Sequence, residues 1–413
     1  MTYKETIEYL FNSTPVFEHV GASAYKPGLQ TTEILDAHYG HPHKNFKTIH
    51  IAGTNGKGSV SHSLASILQE AGYKVGLYTS PHLIDFRERI RVNGIPVSEE
   101  YVIRFVEDFK HLNSKRIHPL SPSFFELTTA LAFKYFAEEQ IDIAVIEVGL
   151  GGRLDCTNII TPILSVITNI SFDHTQFLGN TLAQIASEKA GIIKHQVPVV
   201  IGETTKETRP VFENKAKEMD APIFFAEEID RSECDQYEFE LKGSYQKKNL
   251  RTILCAMKIL SFIHPEHIQK GLTNVCKNTG LMGRWQTLST NPLIICDTGH
   301  NVGGWKYLAP QISSVPCERL HIVFGMVDDK DIRNVLSMLP KNAVYYFTQA
   351  NNHRAIPAQQ VGELAKEYGL SGNTYPTVAQ AYEEAKSSAS ENDFIFIGGS
   401  SYIVADLLCH ISK

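Results

Sequence analysis

Residues 49–59 read Ile-His-Ile-Ala-Gly-Thr-Asn-Gly-Lys-Gly-Ser, an apolar run that opens into a glycine-rich turn carrying one lysine. Helical spacing follows at once, with Val60, Leu64, Ile67, Leu68 and Ala71 on one face. Strand, glycine loop and helix in that order form the context in which a glycine string becomes a phosphate cradle. Glycines let backbone N–H groups close on an anion, the helix N-terminus adds a favourable dipole, and the lysine adds charge. The common form of such a loop is G-x-x-x-x-G-K-[ST]. Here Gly53, Gly56, Lys57, Gly58 and Ser59 place an extra glycine between lysine and hydroxyl. An ordinary glycine-rich turn between strand and helix is the competing reading.

Further strands follow the loop. Residues 74–79, 143–148, 163–168 and 197–201 are short apolar runs, and helical spacing separates most of them. This pattern predicts a mostly parallel α/β sheet, whose ligands collect at the carboxyl ends of strands. A second series begins near Leu293, with strands at 293–297, 320–325, 343–348 and 394–397 and helices at 358–368 and 378–388. The chain of 413 residues therefore divides into two domains, 1–284 and 285–413, with 277–284 as the linker.

Composition narrows the function classes. Hydrophobic residues make up 43% and charged residues 20%, which suits a globular enzyme. The net charge is −6 and no basic block stands out, so nucleic acid is not an expected partner. No segment reaches the length of a membrane span, and the first residues lack the apolar core of a signal peptide. Seven dispersed cysteines without a C-x-x-C pair read as reduced thiols, which points to the cytoplasm.

The strand ends hold the candidate chemistry. Residues 143–148 lead into Glu147-Val148-Gly149-Leu150-Gly151-Gly152-Arg153-Leu154-Asp155. A carboxylate in a β-branched strand is costly to bury unless it is paired or metal-bound. Beside a nucleotide, its natural task is to hold Mg²⁺; a salt bridge to Arg153 is the alternative. The next strand leads into Asp173-His174, where the histidine is either a metal ligand or a satisfied loop residue. Lys189 stands near alanines and isoleucines in a helix, where a surface lysine laying its stem along the protein is the plain reading. Gly283-Arg284-Trp285 precedes Cys296-Asp297-Thr298-Gly299-His300-Asn301, and Arg284 suits a phosphate contact.

Together, and in this order, these segments resemble the Mur ligase superfamily and, within it, the folylpolyglutamate and dihydrofolate synthases. Pro27-Gly28-Leu29, residues 53–59, Thr79-Ser80-Pro81-His82-Leu83, residues 87–94, 147–158, 173–175, 187–194 and 283–285 all match. The 147–158 and 79–83 segments separate this branch from the peptidoglycan ligases. The resemblance implies a P-loop NTPase-like, mostly parallel sheet domain followed by a smaller Rossmann-like α/β domain. It also implies a reaction: ATP phosphorylates a folate or dihydropteroate carboxylate, and the amine of L-glutamate displaces phosphate. Another Mur-type amide ligase with a different acid substrate is the runner-up.

Residue roles are carried over on the same terms. The resemblance implies that Gly53, Thr54, Asn55, Gly56, Lys57, Gly58 and Ser59 hold the ATP phosphates. Ser80 and Glu147 would hold one Mg²⁺, and Glu147 would reach a second supported by His174. Lys189 matches a lysine that this superfamily carbamylates, which would make it a metal-orienting carboxylate. Asn249 would meet the base, Arg284 the phosphates and Asp297 the ribose side. Phe124 and Asp155 would lie by the pterin, and His300 and Ser400 on the glutamate-binding face. A monomer is the implied assembly. Two departures stand out: Asp297-Thr298-Gly299-His300-Asn301 replaces the family's Asp-Gly-Ala-His-Asn, and Tyr245-Gln246 replaces its usual His-Gln.

Overall fold

The computed structural model describes residues 1–12 and 28–412. Pro27, the first residue of the upstream Pro-Gly-Leu match, lies outside them. The chain forms two units, one of Met1–Glu240 with Lys248–Gly280 and the other of Leu241–Lys247 with Leu281–Lys413. The second unit thus begins at Leu281 rather than at residue 285. It also takes in Leu241–Lys247, because the Tyr245 hydroxyl donates to Asp297 at 2.6 Å and the Ser244 N–H to Gln311 at 2.5 Å.

The first unit is built on eight strands: β1 (Lys47–Ala52), β2 (Val75–Tyr78), β3 (Ile90–Val92), β4 (Ile95–Pro96), β5 (Ile143–Glu147), β6 (Leu164–Ile167), β7 (Val199–Ile201) and β8 (Ile223–Phe225). Their order is β4-β3-β2-β5-β1-β6-β7-β8. Strands β2, β5, β1, β6, β7 and β8 run parallel, and β3 and β4 add an antiparallel edge. Every residue of β2, β5, β6 and β7 is buried. Their largely apolar sequences therefore reflect a sheet covered on both faces.

Two helices bear directly on the site. Lys57–Glu70 leaves the glycine loop and packs against Pro265–Thr273. The two approach so closely at Gly271 that a Cβ there would lie 2.4 Å from the Ile67 Cα. Phe124–Glu138 starts in a capping box, in which Ser123 and Glu126 each accept the other's backbone N–H.

The second unit carries β9 (Gln286–Thr290), β10 (Leu293–Asp297), β11 (Leu320–Phe324), β12 (Ala343–Phe347), β13 (Gly372–Thr374) and β14 (Phe394–Gly398) in the order β13-β12-β11-β14-β10-β9. All pairs are parallel except β9 with β10. Trp305, fully buried, packs edge-on against Phe324 and Phe396 in its core. Among the described residues no helix is long and apolar enough to cross a membrane.

Candidate active site

The phosphate loop is held open by its neighbours. Gly53 has φ of 144°, and a Cβ there would fall 1.9 Å from the Thr168 hydroxyl. Gly56 has φ of 87°, and its Cβ would fall 2.4 Å from the Asn249 amide oxygen. Only glycine meets both demands at each position. The polar end of β6 braces the turn: Asn169 accepts from the Thr54 N–H through its carbonyl at 2.9 Å and from the Asn55 N–H through its side chain at 3.0 Å. The Asn55 amide in turn donates to the Ser171 hydroxyl at 3.1 Å. Asn169 and Ser171 carry no phosphate-binding signature of their own. Their place just after β6, the strand that pairs with β1, is what recruits them.

Two lysines converge on this loop. Lys57 Nζ donates to the carbonyls of Gly53 at 3.1 Å and Thr54 at 3.2 Å. Lys189 Nζ donates to the same Gly53 carbonyl at 2.9 Å. Lys189 is only 4% exposed, so it is a buried lysine and not a surface one. Burial first, and then the neighbouring Lys57 charge, push its pKa down to about 7. Asp173 and Asp155 act in the opposite direction.

Glu147 ends β5 and is 3% exposed. Parallel pairing sets it beside Ile51, two residues ahead of Gly53. Its Oε2 accepts from the Ser80 N–H at 3.4 Å, so the ends of β2 and β5 bring a hydroxyl residue and a carboxylate together. Oxygen donors of this kind suit Mg²⁺, which needs few protein ligands when phosphates supply the rest. Arg153, the alternative partner for Glu147, bonds Glu188 at 2.9 Å. His174 adopts a left-handed conformation at φ of 49° ahead of the short helix Thr175–Leu178, next to the largely buried Asp173. Among the described residues no three His, Cys, Asp or Glu side chains gather into a ready-made metal cluster.

The proposed acceptor side is more enclosed than the sequence suggests. Phe124 is 4% exposed, stacked on Phe11 at 4.9 Å, with the Arg89 guanidinium 5.0 Å from its centroid. Asp155 is also buried. It accepts from the Leu150 N–H at 2.9 Å, the Thr157 N–H at 3.0 Å and the Thr157 hydroxyl at 2.5 Å. Burial raises its pKa against those bonds.

Arg284, Asp297, His300 and Ser400 all fall in the second unit. Arg284 donates to the Thr298 hydroxyl. Asp297, 2% exposed, accepts from the Tyr245 hydroxyl, the Trp285 N–H at 2.7 Å and the Gly299 N–H at 2.8 Å. Tyr245 thus anchors this carboxylate. His300 meets the Thr298 carbonyl at 3.1 Å, and Ser400 caps helix Ser401–Ile411 through the Ile403 N–H. His300 follows β10 and Ser400 follows β14, and these two strands are neighbours.

Comparison with known proteins supplies the family. Residues 51–262 match the Mur ligase middle domain, and residues 283–401 match the Mur ligase glutamate ligase domain. The chain is 35% identical to the dihydrofolate synthase/folylpolyglutamate synthase of Bacillus subtilis, over 92% of this chain and 94% of that one. The structure of Escherichia coli FolC in complex with DHPP and ADP matches with a TM-score of 0.86 at 29% identity, covering 100% of this chain and 98% of that one. A bifunctional folylpolyglutamate synthase/dihydrofolate synthase from Yersinia pestis, complexed with AMPPNP and Mn ion, matches with a TM-score of 0.85 at 27% identity over 100% and 98%. Two domain matches in sequence order, and a relative aligned over nearly the whole chain, make this protein a member of the Mur ligase family, in its folylpolyglutamate and dihydrofolate synthase branch.

Proposed function

We propose that the chain is an ATP-dependent ligase that joins L-glutamate to the carboxylate of a dihydropteroate or folate. The observation that carries this reading is the braced phosphate loop of residues 53–59 with Glu147 at the adjoining strand end and the Lys189 amine on the Gly53 carbonyl. In this scheme the acceptor carboxylate oxygen attacks the γ-phosphorus of ATP, and ADP leaves. The glutamate amine then attacks the acyl phosphate carbon and loses a proton, and the tetrahedral intermediate expels phosphate. Charge accumulates on phosphate and carbonyl oxygens throughout, so the protein's task is to orient and neutralise. Lys57 and the loop N–H groups hold the β- and γ-phosphates. Ser80 and Glu147 hold one Mg²⁺, and His174 and Lys189 support a second. When bound, these ions screen the phosphate charge against the incoming carboxylate. Arg284, Asn249 and Asp297 serve the nucleotide, Phe124 and Asp155 the pterin, and His300 and Ser400 the glutamate.

Lys189 acts as a carbamate on this reading. The ammonium first gives up one proton; the neutral amine then adds to CO₂, forming an N–C bond and releasing a second proton, so that the cation ends as an anion. The step requires a neutral amine, which burial favours. The relatives support the ligand classes: the E. coli structure holds DHPP and ADP, and the Y. pestis structure holds AMPPNP and Mn ion. A heavy-oxygen label in the acceptor carboxylate tests the chemistry. One labelled oxygen per turnover should appear in the released phosphate; unlabelled phosphate would rule out the acyl phosphate.

A further inference from the structure

His50 lies in the middle of β1, three residues before the phosphate loop, and is fully buried. Nothing in the reaction above uses it. Its Nε2 meets the Thr157 hydroxyl at 2.8 Å, and that hydroxyl meets Asp155 Oδ1 at 2.5 Å. His50 Nδ1 has no hydrogen-bond partner among the described residues.

The direction of this chain follows from satisfaction of donors. Backbone N–H groups bond both carboxylate oxygens of Asp155, from Thr157 on Oδ1 and from Leu150 on Oδ2. A carboxylate so bonded is an acceptor, so Thr157 gives it the hydroxyl proton. The Thr157 oxygen then accepts, and His50 must donate from Nε2–H. The reverse arrangement would place a proton on Nδ1, leaving a buried N–H unpaired, which is rarer and more costly than a bare acceptor.

Asp155 controls a turn with two functional edges. It holds the Leu150 N–H across the 149–155 loop. On one side of that loop, a Cβ on Gly149 would fall 2.5 Å from the Phe125 ring, next to Phe124. On the other, a Cβ on Gly152 would fall 2.9 Å from the carbonyls of Glu188 and Lys189, and the Arg153 N–H donates to Glu188 at 2.8 Å. The turn is therefore packed against both the helix that carries Phe124 and the helix that carries Lys189.

We propose that His50 is a positioning residue that, through Thr157, fixes the Asp155 carboxylate and with it the 149–152 turn flooring the acceptor site. This rests on the ligase reading for its activity test but not for its structural one. Side-chain nitrogen NMR of the full chain reads the tautomer directly. The proposal requires Nε2 protonated and Nδ1 bare; the opposite tautomer overturns it, whatever the substrate proves to be.

The kinetic test uses His50→Leu, Thr157→Val and His50→Gln, whose amide N–H reaches where Nε2–H does. Leu and Val should each raise KM for the pterin acceptor roughly threefold to tenfold, the scale of one lost hydrogen bond. KM for ATP should stay within about twofold, and Gln should restore the acceptor KM. A folded His50→Leu protein with the wild-type acceptor KM would overturn the proposal, as would equal losses in Gln and Leu. If the wild-type chain turns over no pterin at all, the ligase reading fails instead, and the tautomer alone decides the role of His50.

Discussion

At Lys189 the amine is enclosed, bonded to the Gly53 carbonyl and faced by the Lys57 charge, and the first and last of these favour its neutral form. Lys189→Ala is expected to lose at least about a hundredfold in turnover, in the range of a removed electrostatic group. Short carboxylates such as acetate or propionate should restore part of it. Near-wild-type activity without rescue would remove the carbamate. His50 offers a stability test with a defined sign. Burial pushes its pKa down from 6.5 to about 3. Below pH 6.5 the unfolded chain takes up a proton that the folded chain refuses until about pH 3, so stability falls as pH falls through that window. The loss is at most about 1.4 kcal/mol per pH unit. Urea unfolding at pH 7 and pH 5 should show a smaller acid loss in His50→Gln than in wild type; equal losses would contradict it. Lys57 and Glu147 stand out in the sequence because each charge adjoins an apolar strand run and a glycine-rich turn. The pairing of His50 with Thr157 does not, since 107 residues separate them and only the packing of the short helical turn Cys156–Ile159 against β1 brings them together.

Elements transmit these constraints. The long strands were legible because parallel strands covered on both faces read as apolar runs. The edge strand β3 was missed: it is three residues long and includes Arg91, whose guanidinium donates to the Gly94 carbonyl. Strand β13, Gly-Asn-Thr and wholly exposed, carries no apolar signal at all. The 149–155 loop was legible as a motif but not as a brace, because its contacts reach the helices Phe124–Glu138 and Leu182–Ala190. Gly152→Ala tests that brace. The added methyl meets backbone carbonyls, which cannot rotate away, so the loop or the Lys189 turn must shift. A misplacement near an ångström is worth on the order of a hundredfold in rate. Turnover should fall by that scale while the melting temperature drops only a few degrees; unchanged turnover would separate the loop from catalysis.

For the whole molecule, the chain forms two units, the second made of Leu281–Lys413 together with Leu241–Lys247. The strap Leu241–Lys247 escaped notice because its allegiance depends on Tyr245 reaching Asp297, 52 residues away. What the sequence leaves open is which acid accepts the glutamate, since Phe124 and Asp155 are engaged by the protein's own side chains and backbone. The most direct measurement is phosphate release from ATP and Mg²⁺ with L-glutamate, comparing dihydropteroate, tetrahydrofolate and no acceptor. The account predicts release only when glutamate and a pterin acceptor are both present, with the two acceptors distinguishing the synthase activities. Release without either acceptor, or none in any combination, would contradict it.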